Sequence, residues 1–467
     1  MQLYNTLSKK VENFKALKEG EVTIYTCGPT VYNYVHIGNL RTFIFYDIVK
    51  RAFKLNDYRV KHVMNITDVD DKTIKGAMES KVSLKEYTEL YTKYFMEDLE
   101  KLNIDMDTEF TKATDNIDEM QKIIAKLLEE GYAYEADDGI YFKVSKFKDY
   151  GKLSGMKVNG NYSRIKNDEY DKDNAADFAL WKYWNPNDGN VYWDEKLKKG
   201  RPGWHIECSA MSMKYLGKTI DVHCGAVDLI FPHHENEIAQ SESYSRQKFV
   251  DYWVHGEHLL VNGQKMSKSL NNFYTLRDLE KQGFNPLSFR LMVIDSHYRN
   301  KLDFNFENLK KYEKLLAKID LSIKSLNKVD KYEEKEDNYL GIQIKKKVDS
   351  ELQEFEEAVN DDLNTHEALQ HFLSLLDLAD EKTGKGKVGN KEFSIISSAI
   401  SKMNSFLGVY LEYGIPNEII DLAEEREKKR EEKKFSAADL LRDKINEKGY
   451  FIADLSNTFV ITKKYFD

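Results

Sequence analysis

The sequence predicts an α/β chain: a parallel sheet split by an insertion, then a helical bundle, then a small α/β module. Three observations carry this. Val22 and Ile24 alternate with Thr23 and Tyr25 as a short strand, Cys27-Gly28-Pro29-Thr30 breaks it, and Phe43, Phe45, Ile48, Val49 and Phe53 follow at helix spacing. The strand pattern resumes only at Thr219-Ile220-Asp221-Val222-His223, after a stretch from about Thr108 to Gly200 of different character. Beyond Lys268 the periodicity is helical.

Taken in order, Val60, Val63, Met64 and Ile66 read as the next strand, running into Thr67-Asp68-Val69-Asp70-Asp71-Lys72. Carboxylates at strand ends commonly line sites in α/β sheets; equally, Asp70 or Asp71 starts the helix through Lys81. In the insertion, Ile117, Met120, Ile124 and Leu128 form a helical stripe ending at Gly131, and Tyr134 to Phe142 reads as a hairpin around Asp137-Asp138-Gly139. Asn159 to Asn174 is a polar loop, and order returns at Asp177 to Lys182. The bundle is predicted from Ile344, Val348, Leu352, Phe355 and Val359, from Leu369, Phe372, Leu373 and Leu376 behind a capping pair Asn364 and Glu367, and from Phe393, Ile396, Ile400, Met403 and Leu407. Lys331 to Asp337 reads as a charged linker and Thr383 to Asn390 as a glycine-lysine loop. The tail holds a charged helix from Asn417 through Lys434, a helix from Ser436 to Lys448 ending at Gly449, and strands Tyr450 to Ala453 and Phe459 to Thr462.

At 467 residues the chain exceeds one ordinary core, so several domains are expected. Three cysteines, Cys27, Cys208 and Cys224, exclude a disulfide framework and suit a reducing compartment, where metal binding or catalysis is their usual role. Met1 to Phe14 lacks an apolar core, and no apolar run approaches the roughly 18 residues of a membrane span; a cytoplasmic protein is expected, without export or insertion. The net charge of -9 gives nucleic-acid binding no support, so an RNA surface has to be a local basic patch.

His36-Ile37-Gly38-Asn39 lies where the first long helix begins. A helix start offers unpaired N-H groups and the positive dipole end, Gly38 allows close approach, and His36 adds a donor, which suits a nucleotide triphosphate; four such residues alone also fit a core histidine beside a turn glycine. Cys27, Cys208, and His233 with Glu237 one helical turn apart make a zinc-type donor set. Spacing alone leaves open two buried free cysteines and a polar helix face.

The pairing of H-I-G-N with Lys265-Met266-Ser267-Lys268-Ser269 resembles the ATP-binding signatures of class I aminoacyl-tRNA synthetases. C-G-P-T-V-Y, G-R-P-G-W-H-I-E-C-S-A-M and D-L-I-F-P-H-H-E-N-E-I-A-Q-S resemble the cysteinyl-tRNA synthetase family in particular, and the likeness runs nearly the whole chain. The resemblance implies a Rossmann-like catalytic domain in halves 1–107 and 201–262 around a connective insertion 108–200, a lysine-loop and stem-contact region 263–320, a helical bundle 321–412 and an anticodon-binding module 413–467. It implies ATP binding by Gly28, His36, Gly38, Asn39, Lys265 and Lys268, with His36, Lys265 and Lys268 catalytic. Cysteine binding falls to Thr67, Trp204 and Asp228, one Zn2+ per chain to Cys27, Cys208, His233 and Glu237, and anticodon contact to Arg430, Phe435, Asp439 and Asp454. The implied partners are ATP with Mg2+, L-cysteine and tRNA-Cys, with no membrane, and the chain is expected to act as a monomer. Two other readings share these residues: a cysteine ligase of the same fold acting on an amino sugar, which the tail beyond Tyr413 opposes, and an inactive zinc-bearing RNA-binding paralogue, which the intact His36, Gly38, Lys265 and Lys268 oppose. Three positions depart from the family pattern: Asn39 for the last histidine of H-I-G-H, Cys224-Gly225-Ala226 for a glycine run, and Asn271 for a glycine. Cys224 is either a small buried residue or a competing thiolate.

Overall fold

Five strands, β1 (Glu21–Thr26), β2 (Arg59–Ile66), β3 (Glu109–Lys112), β4 (Ile220–Ala226) and β5 (Val250–Gly256), pair in parallel in the order β5-β4-β1-β2-β3. The chain lays β2 and β3 on one side of β1 and returns with β4 and β5 on the other. The order therefore reverses between β1 and β4, and in open α/β sheets the crevice beyond the strand ends at such a point is where ligands bind. Parallel strands are covered on both faces; Val22, Ile24 and Tyr25 of β1 are accordingly buried, as are Val63, Met64 and Ile66 of β2. The structure, a computed structural model, describes residues 1–156, 163–165, 176–266, 272–333 and 339–465. Its contacts divide the chain into Met1–Glu100 with Asp105–His258 and Tyr298–Lys301, and Lys101–Ile104 with Leu259–His297 and Leu302–Asp467. This division is coarser than the six expected segments, and the insertion falls inside the first unit.

In that unit, helix α1 (Ile37–Leu55) follows β1 and buries Leu40, Phe43, Ile44, Ile48, Val49 and Phe53. Its first turn has no acidic side chain and its last turn carries Lys54, so the charges suit the macrodipole and leave the start open to an anion. After β2 it is Asp70 that caps the helix Asp71–Ser80, reciprocally with Thr73. The insertion's helix forms as Ile117–Glu129 and its hairpin as Ala133–Ala136 with Gly139–Phe142, the latter strand also pairing with Ala176–Tyr183. The expected loop from Asn159 to Asn174 lies outside the described residues except for the short strand Ser163–Ile165. Helices α2 (Trp204–Leu216) and α3 (Glu235–Ser245) then flank β4 in sequence. Tyr25, Val63, Ile206, Ile238 and Trp253 join Cys27 and Cys208 in one buried cluster.

The second unit opens with the strands Leu259–Val261, Gln264–Lys265 and Leu302–Phe304 and continues in the helices Phe306–Lys328, Tyr339–Asn360, Thr365–Thr383 and Asn390–Leu407. Of the expected linker, 334–337 lie outside the described residues, while its start and part of the expected loop form strands. Asp330–Tyr332 pairs with Lys387–Gly389, and the Lys331 ammonium sits 4.3 Å from the Phe393 ring centre. The tail is two helices, Asn417–Glu431 and Phe435–Glu447, and the hairpin Tyr450–Asp454 with Phe459–Lys463, closed over Ile419, Ala423, Ile445 and Ile452. It is fastened to the helix Phe306–Lys328, where the buried Asp320 carboxylate accepts from the hydroxyls of Tyr413 and Tyr465.

Candidate active site and metal centre

Cys27 follows the last residue of β1, Cys208 lies one turn into α2, and His233 and Glu237 straddle the start of α3. The fold brings these segments together past the ends of β1 and β4. The ligand atoms of Cys27, Cys208, His233 and Glu237 all lie within 4.8 Å of one another, and every one of the four side chains is buried. His233 Nε2 is 3.0 Å from Glu237 Oε1, the contact that helical spacing of four residues supplies. Cys27, His223, His234 and Glu237 form a second set that shares two members with the first. In it His223 Nε2 lies 3.0 Å from Glu237 Oε2, and His234 Nε2 lies 3.3 Å from the Cys27 sulfur.

Around this core the histidines form a chain. His205 Nδ1 is 2.9 Å from His233 Nδ1, His234 Nδ1 is 2.8 Å from His255 Nε2, and His255 Nδ1 is 2.8 Å from the Thr6 hydroxyl. Burial keeps His205 and His234 well below the ordinary imidazole value and holds His255 at about 3, so these rings stay neutral. His233 is the opposite case: burial disfavours its proton, but Cys208 and Glu237 beside it raise it to about 10. Burial works against ionisation of Glu237 too, yet His223 and His233 hold it at about 2. Burial and then Cys208 push the Cys27 thiol up; burial works the same way on Cys208, but its bond to Cys27 and the His233 charge bring it down to about 6. A thiolate, a carboxylate and an imidazole on a wall of apolar residues are the donors a thiophilic divalent ion takes. Among the described residues the buried His223 Nδ1 has no partner, which leaves a polar atom of the cluster unsatisfied there.

Cys224 belongs to neither donor set. Side chains alternate along a strand, so when His223 faces Glu237, Cys224 turns to the other face, where burial alone raises its thiol. Gly225 is the one position of that run that demands glycine. A Cβ there would stand 2.2 Å from His234 Cε1, so the side chains of Cys224 and Ala226 are tolerated where that of residue 225 is not. Gly28 is similarly fixed, since a Cβ would meet the Asn65 carbonyl oxygen at 1.7 Å. Its N-H donates to Asn65 Oδ1 at 2.7 Å, Asn65 Nδ2 donates to the Thr67 hydroxyl at 3.0 Å, and that hydroxyl donates to Glu207 Oε2 at 2.9 Å. Thr67 thus bridges the residue after Cys27 to the residue before Cys208. Trp204 opens α2 with its ring 4.1 Å from that of His233, and Asp228 sits exposed in the turn after β4.

His36 caps α1, its Nδ1 accepting from the Asn39 backbone N-H at 3.2 Å, which leaves Nε2 as the protonated nitrogen. Burial lowers this ring to about 4 against the pull of Asp228, so it is a neutral donor at a helix start. The cap uses only the backbone of residue 39, so asparagine serves there as well as histidine. The matching family model is that of the class I (C) tRNA synthetase catalytic domain, over residues 13–314. The chain belongs to the cysteine–tRNA ligase family of class I tRNA synthetases. It is 43% identical to the cysteine–tRNA ligase of Brachyspira hyodysenteriae over 97% of each chain, and 44% identical to that of Chlamydia caviae over 97% of this chain and 96% of the relative. Among solved structures it resembles Mycobacterium tuberculosis methionyl-tRNA synthetase in complex with methionyl-adenylate (TM-score 0.57, 12% identity, 83% of this chain and 90% of that one). A second is the Agrobacterium radiobacter LeuRS in its ternary complex (TM-score 0.60, 10% identity, 85% and 84%). At those identities the likeness is one of fold.

The family's other expected residues fall in the second unit. Lys265 ends the exposed strand Gln264–Lys265, its carbonyl accepting from Asn272 Nδ2 at 3.0 Å; Lys268 and Asn271 lie outside the described residues. In the tail, Phe435 begins its helix 61% exposed, Asp439 lies one turn on, and Asp454 ends the first strand of the hairpin. Sequence reasoning missed two neighbours of Asp454. The Arg426 guanidinium, buried, grips its carboxylate with both Nη atoms at 2.6 and 2.8 Å, and Arg442 Nη2 reaches Oδ2 at 3.0 Å, while Arg430 pairs with Oδ1. The i, i+4 spacing of Arg426 and Arg430 was the available signal.

Proposed function

We infer that the protein joins L-cysteine to tRNA-Cys at the expense of ATP: the cysteine carboxylate attacks the α-phosphate, pyrophosphate leaves, and the terminal ribose hydroxyl of the tRNA then takes the cysteinyl group from the adenylate. The observation that carries this reading is the buried tetrad Cys27, Cys208, His233 and Glu237 beyond the ends of β1 and β4, in a chain of the cysteine–tRNA ligase family. These four residues would hold zinc, one ion per chain, and the ion would supply a site that takes thiolate far better than hydroxyl. A metal is needed for that choice, because an apolar pocket separates near-isosteric substrates by only about 100-fold.

The chain's own residues do the rest by position. The Trp204 ring closes one side of the tetrad against His233, and Asp228 offers a carboxylate for the cysteine ammonium. The backbone N-H groups at the start of α1, the neutral His36 imidazole, Gly28, Gly38 and Asn39 would cradle the phosphates, with Mg2+ accompanying the nucleotide. Lys265 and Lys268 would bring positive charge to the migrating phosphates, where it counts mostly in the transition state. Arg430, Phe435, Asp439 and Asp454 would meet the anticodon by stacking and hydrogen bonding. The deciding experiment is cysteine-dependent exchange of pyrophosphate into ATP followed by charging of tRNA-Cys. Exchange and charging together are expected; exchange without charging points to another acceptor, and neither would refute the reading.

A further inference from the structure

Tyr25, next to last in β1, is wholly buried, and its hydroxyl has no hydrogen-bond partner among the described residues. It pairs in register with His223 of β4, the two rings meeting edge to face at 5.1 Å. Alternation along the strand puts its side chain on the face that Cys27 shares two residues later. A buried tyrosine hydroxyl normally finds a partner. This one lies in the same buried cluster as Cys27 and Cys208, and a protonated thiol is a poor acceptor whereas a thiolate is a good one.

We propose that Tyr25 is a positioning residue for the thiolate pair: its hydroxyl donates a hydrogen bond to the Cys208 sulfur when that sulfur is held deprotonated by a metal, and draws charge from it. A thiolate so engaged donates less strongly, which leaves a bound ion more electron demand for a third sulfur, that of the substrate. The hydroxyl thereby sharpens the choice of cysteine without touching it. The inference rests on the cluster being the cysteine-selecting metal site.

Tyr25→Phe removes the hydroxyl and keeps the ring. Both proteins are loaded with cobalt in place of zinc, and the thiolate-to-cobalt charge-transfer band is recorded. One cobalt per chain is expected in each, with the band at lower energy in the variant because its thiolate is the stronger donor. In pyrophosphate exchange the zinc-loaded variant should raise KM for cysteine by about 10- to 100-fold, the range typical of residues that support metal ligands, with kcat little changed. Free of metal, the variant should melt no lower than the parent, since only an unpartnered hydroxyl has gone. An unmoved band with an unchanged KM overturns the proposal, and so does a lower melting temperature without metal, which would mark the hydroxyl as structural. Failure of the parent to bind metal or show the band overturns the underlying site reading as well, and is told apart by occurring before any substitution.

Discussion

The two polar clusters of this protein solve opposite problems. The one beyond β1 and β4 draws on residues from five segments, and each of Cys27, Cys208, His223, His233, His234 and Glu237 is buried. The one in the tail comes largely from two neighbouring helices and a hairpin, and its members Arg430, Arg442 and Asp454 stay about one-third exposed. Burial makes the first cluster a fixed set of donors, because a charge or dipole there has no water to fall back on. Exposure makes part of the second exchangeable: the contacts of Arg430 and Arg442 to Asp454 can be traded for contacts to a polar ligand at small cost, while Arg426 stays buried on the same carboxylate. The first suits selection of a small substrate, the second docking of a large, wet one.

The largest expected effect breaks the first cluster alone. Cys208→Ser should lose or loosen the metal and lower cysteine-dependent exchange by about 10^4-fold, or roughly 5.5 kcal/mol, while tRNA binding is retained. Metal analysis and a tRNA binding titration check both halves. If Cys224→Ala removes the metal and Cys208→Ser does not, the donor set is misassigned. Next, Lys268→Ala should slow adenylate formation by about 10^2- to 10^3-fold, with cysteine binding little changed, as loss of one transition-state donor commonly does. Pre-steady-state activation at the parent rate would remove Lys268 from the mechanism.

The contrast also explains what was legible in the sequence. Strand, turn and helix around Cys27 follow from local alternation, and both tail helices and hairpin strands fall within a few residues of their expected bounds. That β4 lies beside β1, so that Cys27 meets Cys208 and His233, is a long-range pairing that no local pattern contains; family motifs carried that part. The histidine chain to His255 and Thr6 joins residues up to 249 apart in sequence and was invisible for the same reason. In the tail the alternating charges read as a solvated helix, which hid Arg426, a guanidinium buried because Asp454 and Glu427 face it.

A smaller effect tests whether the tail reads bases. The carboxylate of Asp454 already takes four guanidinium contacts, two from Arg426 and one each from Arg430 and Arg442, so a base has to displace one of the more exposed arginines to reach it. Asp454→Asn should lower charging by an amount equivalent to about 1 to 3 kcal/mol, the worth of a good base contact, and leave exchange unchanged. A loss confined to the correct anticodon supports direct readout. An equal loss on tRNAs with every anticodon change would mean that the residue only holds the arginines in place.

The smallest effect is on the tail's own stability, and its sign follows from the same carboxylate. Its bond to Arg426 and the charges of Arg426, Arg430 and Arg442 lower Asp454 below its ordinary 3.8, against the opposing pull of partial burial. A group whose folded value lies below its unfolded one stabilises the fold above the unfolded value, and that contribution is lost as pH falls through the folded value. The parent tail should therefore exceed Asp454→Asn in stability at pH 7, and the difference should begin to shrink as pH falls below the ordinary 3.8 and be lost as it passes the folded value. Its size is modest because Asp454 is partly in water and because Glu427, 3.5 Å from Arg426 Nη1, remains to face the buried guanidinium. About 1 kcal/mol is expected, shrinking further in high salt. Amide exchange in the helix Phe435–Glu447, measured from pH 3 to 7 in both proteins with correction for intrinsic rates, reads this locally. A difference that stays constant across that range would show that Asp454 acts through the shape of its hydrogen bonds and not through its charge.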